Sequence, residues 1–288
     1  MKIALIYNKS GGFSPITSFD EVIKNAGIHV EHFWTKDAHA IPKKFDLYFR
    51  IDHGDYKYDL PDSLRPAVFY AIDTHLKKPY KKIRKQAGHY DVVFCAQASG
   101  ARMLTRELKI DCQWVPLAFD QRYIRKIDTP KKFDLGFVGR NAKKFSRGRH
   151  LKLLKKKYPQ SSIGEAPFDR MSAIYSASKI GFNSSLNNDI NLRIFEVMAC
   201  GSFLLTSRIK DGSLERLFTN GKHLVIYRND RQLLELVEYY LGHAAEREAI
   251  ARAGYELVIS RHSFYHRVQT MLNYIAFTFG GEYNALRI

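Results

Sequence analysis

Two consecutive doubly wound α/β domains are the fold class the sequence predicts, on three observations. Short apolar runs of strand length alternate with amphipathic stretches of helical period. The alternation breaks at a basic, proline-containing connector near Ile127–Lys132 and then starts again. After Asp230 only helical patterns follow, as far as Phe279. A chain of 288 residues with 45% hydrophobic content is long enough for two such domains to bury separate cores.

Each element has its own justification. "KIALIY" reads as a first buried strand, because its apolar stretch ahead of Asn8 and Lys9 is too short for the core of a signal peptide. A helical pattern around Asp20–Ala26 follows, then the strand-like runs "FDLYFRI" and "AVFYAI", a helix over Pro79–Ala87, the run "DVVFCA" and a helix over Ala101–Leu108. Beyond the connector come "FDLGFVG", a helix through Lys152–Lys157, "KIGFNSS", a helix over Asn191–Cys200, "SFLLTS" and "HLVIY". The segments "RQLLELVEYYL", "AEREAIARAGYELV" and "SFYHRVQTMLNYIAF" supply the terminal helices. The expected domains are residues 1–128 and 129–270, with 271–288 a C-terminal helix or tail packing back on the first domain. Sheets wound in this way collect ligands at the C-terminal ends of their strands, and a crevice between the two domains is the expected site.

Composition excludes several classes. The longest uninterrupted apolar run, Ala67–Ile72, is far short of the roughly 18 residues of a membrane span. Cys95, Cys112 and Cys200 form no C-x-x-C, so neither a disulfide frame nor a zinc site is indicated and a reducing cytosol is the expected setting. The net charge of +17 is the outlier. Arg140, Lys143, Lys144, Arg147, Arg149, Lys152, Lys155, Lys156 and Lys157 lie in one stretch without an acid. Lys77, Lys78, Lys81, Lys82, Arg84 and Lys85 form a second. Such clusters attract nucleic acid, anionic lipid or nucleotide phosphate; the alternative is a solvated helix face that keeps the protein in solution.

The stretch "DINLRIFEVMACGSFLLTS", Asp189–Ser207, carries the chemistry. At 3.6 residues per turn Asp189, Arg193 and Glu196 share one face that Cys200 continues, while Leu192, Ile194, Phe195, Met198 and Ala199 fill most of the circumference. The charged stripe is therefore expected to look out of a core into a cleft. Asp189 or Asn191 is a candidate cap and Gly201 the expected stop. A helix start attracts anions, Arg193 suits a phosphate, and Glu196 suits the hydroxyls of a sugar or ribose. The alternative is an ordinary i, i+3 ion pair between Arg193 and Glu196.

The order of "KIGFNSSLNNDINLRIFEVMACGSFLLTS", "LFTNGKHLVIYRNDRQLLELVEYYL" and "REAIARAGYELVISRHSFYHRV" resembles the C-terminal half of group 1 glycosyltransferases of the GT-B fold, most of all the CgeB-like, spore-maturation branch. The resemblance implies two Rossmann-like domains with a donor and acceptor cleft between them and a helical C-terminus. It also implies a nucleotide-diphosphate sugar, with UDP-hexose the default, as co-substrate and no other cofactor. By that likeness Glu196 contacts ribose hydroxyls and Arg193 neutralises the diphosphate. The first glutamate of the family motif falls at Asn188, with Asp189 beside it. Gly139 and Arg140 match the strand-end glycine and the first cation of a diphosphate-binding pair, and Lys144 stands one residue off the usual place of the second.

Sugar transfer builds negative charge on the departing diphosphate, so cations there lower the barrier. No D-x-D occurs in the chain. Arg140, Arg193 and a helix dipole are therefore expected in place of a divalent metal. A base for the acceptor hydroxyl is sought after strands of the first domain, where "YAIDTH" offers Asp73 and His75 and "RIDHGD" offers Asp52, His53 and Asp55; Asp73 is the first choice. Gly11 and Gly12 in "NKSGGFS" are candidates for close backbone approach to the donor. The charge suggests double-stranded DNA as acceptor, with hydroxymethylated pyrimidines as the target, in likeness to bacteriophage enzymes of this fold. Tyr56, Tyr58 and Phe13 would then stack on an extruded base. A surface or spore polysaccharide, protein or small molecule is the competing acceptor, and an inactive nucleic-acid-binding relative the competing class.

Overall fold

A computed structural model of the chain describes residues 1–8, 17–141 and 145–286. It separates into two compact units, one made of residues 1–117 and 264–288, the other of 118–263. In chain order the first unit has β1 (Lys2–Ile6), α1 (Thr17–Asn25), β2 (His29–Phe33), β3 (Leu47–Ile51), β4 (Ala67–Ala71), α2 (Lys77–Ala87), β5 (Val92–Cys95), α3 (Ala98–Leu108) and β6 (Cys112–Trp114). The sheet order is β2-β1-β3-β4-β5-β6, and every pairing is parallel. Strands β3, β4 and β5 are buried along their whole length, because helices cover both faces of a parallel sheet. Helix α2 shows how the sequence divides between core and solvent. Tyr80, Ile83 and Ala87 face inward, the full burial of Ile83 alone contributing about 1.5–3 kcal/mol. Lys77, Lys78, Lys81, Lys82, Arg84 and Lys85 are exposed on the rest of its circumference.

The second unit has β7 (Phe133–Val138), α4 (Ser146–Lys157), β8 (Ser162–Gly164), α5 (Met171–Ser176), β9 (Ser178–Asn183), α6 (Leu192–Ala199), β10 (Phe203–Ser207), β11 (Val225–Tyr227), α7 (Asp230–Gly242) and α8 (Ala244–Arg261). Its sheet order is β8-β7-β9-β10-β11, again parallel throughout. Leu135, Phe137, Ile180, Phe182, Phe203 and Leu205 are central to its core. Helix α6 stops where the sequence puts a glycine: Gly201 has φ +68°, and its N–H donates to Met198 O at 2.9 Å.

The N-terminal ends of these strands gather helix C-termini, and cations sit on them. Lys131 Nζ donates to Ser176 O at 2.8 Å at the end of α5, and Arg247 Nη1 to Tyr240 O at 2.5 Å near the end of α7. The stem of Lys126 lies against Gly201, where a Cβ would stand 2.8 Å from its Cδ. Two of these cations thus meet helix C-terminal carbonyls, while the Lys126 ammonium lies over the Tyr255 ring at 5.5 Å. A shallow cavity of about 290 Å³ opens among them, and desolvation followed by the like charges of Lys126 and Arg247 lowers the Lys131 ammonium to about 8.

The last helix, α9 (Phe264–Phe279), belongs to the first unit. Phe264 lies 5.9 Å from Phe19 ring to ring, Tyr274 lies 5.7 Å from Phe94, and the buried Arg267 donates to Pro116 O at 2.8 Å. The units thus depart from the expected boundaries at 128/129 and 270/271. Residues 118–128 join the second unit because their backbone is stitched to α5: Ser172 Oγ takes Arg125 N–H at 3.2 Å and Ser176 Oγ takes Ile127 N–H at 3.0 Å. Residues 264–270 join the first because they are the opening turns of α9. Where the chain leaves and re-enters, Phe119 N–H donates to His262 O at 3.3 Å and Phe119 pairs with Ser263.

Candidate functional site

In the second unit β7 and β9 are neighbours whose connections run to opposite sides, which makes their C-terminal ends a topological switch point. The side chain of Arg193, one turn into α6, closes that point. Its Nε and Nη2 donate to Val138 O at 3.1 and 3.0 Å, its Nη1 donates to Asn183 Oδ1 at 3.1 Å, and its guanidinium lies 4.3 Å from the Phe137 ring centroid. Asn183 is held in turn by Thr206, whose Oγ1 accepts its Nδ2 at 2.9 Å. Gly139 makes room for the fork: it has φ +142°, and a Cβ there would collide with Arg193 Nη2.

Arg147 shares this locality. It is 7% exposed, its Nε donates to Ser184 O at 2.8 Å, and its guanidinium lies 5.9 Å from the same Phe137 ring. Burial, then the like charge of Arg193, lowers it to about 10, and Arg140 adds to the same repulsion. Three guanidinium groups are thus brought near one strand end. Arg147 was expected on an outward basic track; it turns inward because its position, the second residue of α4, faces the β9 loop.

Glu196 is only 8% exposed. Helix α6 is buried on nearly all sides and takes the carboxyl with it. Burial raises it to about 7 against the opposing charge of Arg193, and among the described residues no side-chain hydrogen bond reaches its carboxylate. Asn191 immediately precedes α6, yet neither it nor Asp189 caps the helix by its side chain. Both amide atoms of Asn191 are buried without a partner among the described residues. Asp189 instead accepts from Ser185 Oγ at 2.6 Å, closing the β9–α6 loop. Asn188 sits at φ +60° and accepts Lys210 N–H at 2.5 Å. Buried polar atoms without partners are rare in folded proteins, and two of those among the described residues belong to this one amide at the start of α6.

The candidate base lies in the first unit. Asp52 is buried at the end of β3, and its carboxylate accepts Gly54 N–H, Tyr56 O–H, Ile72 N–H and Asp73 N–H at 3.0–3.2 Å. It is therefore a brace that orients the loop after β4. Asp73 and His75 are half-buried in that loop, and His75 Nδ1 is buried without a partner among the described residues. His53 is half-buried and lowered by desolvation against the charge of Asp52. Asp55 accepts from Asn8 Nδ2 at 2.9 Å. Tyr56 is turned inward by its bond to Asp52, whereas Tyr58 is 38% exposed with Lys57 over its ring. Gly11, Gly12, Phe13, Lys143 and Lys144 lie outside the described residues. Of the remaining basic candidates, Arg84 pairs with Glu107 at 3.0 Å and Arg149 with Asp230 at 2.8 Å.

The sequence pattern of the glycosyl transferase-like family matches residues 122–273, more than half of the 288-residue chain. The chain belongs to that family. The matched segment contains β7 to α8, hence the whole arginine and glutamate site of this glycosyltransferase. No curated protein sequence matches it. Among solved structures, the sucrose-phosphate synthase of Thermosynechococcus elongatus is similar over 97% of this chain and 100% of its own, at 12% identity and a TM-score of 0.65. Anabaena HepE, solved with UDP-glucose, is similar over 96% and 99%, at 11% identity and a TM-score of 0.66. A glycosyltransferase of Rickettsia africae is similar over 98% and 99%, at 12% identity and a TM-score of 0.61. At these identities the likeness carries the fold: the glycosyltransferase has the two-domain, Rossmann-like GT-B architecture.

Asn183, Phe137 and the inward role of Arg147 were not foreseen from the sequence. The available signal was a polar residue ending an apolar strand, in "GFNSS", where a core strand has no use for an amide.

Proposed function

We propose that this glycosyltransferase moves a hexose from a nucleotide-diphosphate sugar, UDP-linked, to an acceptor hydroxyl, and that its second unit holds the donor. The observation that carries the reading is the largely buried Glu196 carboxylate, which no side-chain hydrogen bond reaches among the described residues, together with the Asn191 amide, unpartnered among those same residues, and the arginines at the end of β7. A ribose diol would donate to Glu196. The diphosphate would meet the donors that Arg193 and Arg147 have left over, together with Arg140, so that charge on the leaving group develops against fixed cations. HepE, of the same fold, was solved with UDP-glucose, which favours a uridine donor. The CgeB-like branch is the part of the family whose motif the α6 stretch resembles.

The test is calorimetric titration of nucleotide sugars into wild type and Glu196→Ala. Loss of a charge-assisted hydrogen bond costs about 1.5–3 kcal/mol, so the variant is expected to bind UDP-glucose about ten- to a hundred-fold more weakly. Equal affinities would remove Glu196 from the donor site. Transfer is expected to survive EDTA, with the side-chain cations serving in place of a divalent ion, and a strict Mn²⁺ requirement would contradict this.

A second reading concerns the acceptor. Lys77, Lys78, Lys81, Lys82 and Lys85 stand exposed along α2 without an ion pair among the described residues, which favours a polyanionic acceptor such as DNA bearing hydroxymethylated pyrimidines. Salt-sensitive binding to duplex DNA, weakened by Lys81→Ala/Lys82→Ala, and transfer to hydroxymethylated but not unmodified DNA are expected. Transfer to a saccharide or peptide with indifference to DNA would reject it.

A further inference from the structure

A second group of cations lies at the opposite end of the second unit's sheet, where β9 and β10 begin. The cavity of about 290 Å³ there is walled by the connector that carries Lys126 and Lys131, by the ends of α5 and α6 at Ser176 and Gly201, and by α8. Strand β9 runs from this cavity to Asn183, so about 17 Å of chain, at roughly 3.3 Å per residue, separates it from the Arg193 fork. Two of its cations are matched. Lys179 meets Asp134 at 2.8 Å, and Arg247 meets Tyr240 O and, at 3.6 Å, Glu248. Cys200 is a neutral thiol, raised to about 12 by burial. Lys126, Lys131 and Arg252 remain, and the other acid on the lining, the exposed Asp128, pairs with none of them among the described residues.

The two lysines are held close although both are exposed residues with water at hand. Lys131 turns its ammonium inward to donate to Ser176 O at 2.8 Å, and the backbone beside it is fixed, since Lys132 and Phe133 N–H donate to Ala177 O at 2.8 and 3.0 Å. Lys126 lays its stem on Gly201 and its ammonium over the Tyr255 ring, while the next residue, Ile127, donates its N–H to Ser176 Oγ. The strain of this arrangement falls on Lys131. Desolvation, then the charges of Lys126 and Arg247, lower it to about 8 against the opposing pull of Glu248, so the carbonyl at the end of α5 does not offset them. An anion brought into the cavity would. Ammonium groups act as point charges and suit a compact dianion. The space is about ten times the ~30 Å³ share of a water molecule, room for a phosphoryl group and a small organic body against Tyr255 and Phe203.

We propose that this cavity binds a small phosphate monoester through Lys126, Lys131 and Arg252, at a site apart from the sugar donor's and independent of the donor reading. The probes are glycerol 3-phosphate and inorganic phosphate, titrated calorimetrically at low salt and pH 8 in two buffers of different ionisation enthalpy. At that pH the ester is a dianion and Lys131 is about half protonated, so binding is expected to draw about half a proton from the buffer. Wild type is expected to bind the ester more tightly than inorganic phosphate, and equal affinities overturn the organic part of the ligand. Lys131→Met and Lys126→Ala/Arg252→Ala are each expected to lose about ten-fold or more in affinity. Lys131→Arg keeps the charge but does not titrate, so it is expected to bind nearly as wild type without proton uptake. Absence of binding, or equal affinity in Lys131→Met, overturns the site; uptake that persists in Lys131→Arg removes Lys131 from it. Saturating UDP-glucose is expected to leave binding unchanged, and displacement overturns the separation from the donor. Should UDP-glucose itself fail to bind, the donor reading falls while the lysine variants still decide this cavity. The mutated residues are exposed, and thermal melts that match wild type exclude unfolding as the cause.

Discussion

At the scale of single residues, Glu196 is the group whose environment and function pull in opposite directions. Its carboxyl titrates near 7 in the fold against an ordinary 4.5, because burial disfavours the charge more than Arg193 favours it. The folded state therefore holds this proton more tightly than the unfolded chain. Its contribution to stability is full below pH 4.5 and is lost as the pH rises toward 7, by about 3 kcal/mol in all. Glu196→Gln removes the titration, so its melting temperature is expected to fall less than that of wild type between pH 5 and pH 8; parallel profiles in the two proteins would contradict the burial argument. That Arg193 and Glu196 lie a turn apart on one helix was legible in their spacing. That Glu196 is enclosed was not, since a three-residue step defines a shared helix face and says nothing about what covers that face.

At the scale of elements, the close approach of the β7 end to α6 makes a joint prediction. Gly139→Ala places a Cβ on the Arg193 guanidinium at a φ that L-residues avoid, so Arg193 loses Val138 O and Asn183. Gly139→Ala and Arg193→Ala are each expected to destabilise the second unit by about 2–4 kcal/mol and to weaken donor binding. The double variant is expected to cost little more than either, because both changes break the same contacts; additive losses in thermal melts would show the two to be independent. Arg193 thus braces the end of β7 against α6, a role the sequence did not display because its partners are a backbone carbonyl and a strand-end amide. Among the strands, the buried central ones were legible as continuous apolar runs. The edge strands β2, β6 and β8 were not, since "HVEHF", "CQW" and "SIG" are short, half-exposed and polar enough to pass for loop. Helix α4 was read only from Lys152 onward, because its first turns, from Ser146, carry a glycine and two arginines in place of an apolar stripe.

At the scale of the whole molecule, the second unit is inserted into the first. The basic connector near Ile127–Lys132 looked like the seam, yet the chain's division follows contacts, and those place the crossing at 117/118 and again at 263/264. Removing residues 264–288 is expected to strip Phe264, Arg267 and Tyr274 from α1, Pro116 and β5 and so to melt the first unit selectively. Limited proteolysis of that truncated chain should cut within residues 1–117 and spare 118–263; a second unit that is digested equally fast would contradict the division. The same pairing of Phe119 with Ser263 bears on synthesis. As the polypeptide emerges from the ribosome, every residue of the second unit is available once Ser263 has cleared the tunnel. The first unit must wait, its sheet one helix short, until α9 arrives. The order in which the two halves are translated is therefore the reverse of the order in which they can be completed.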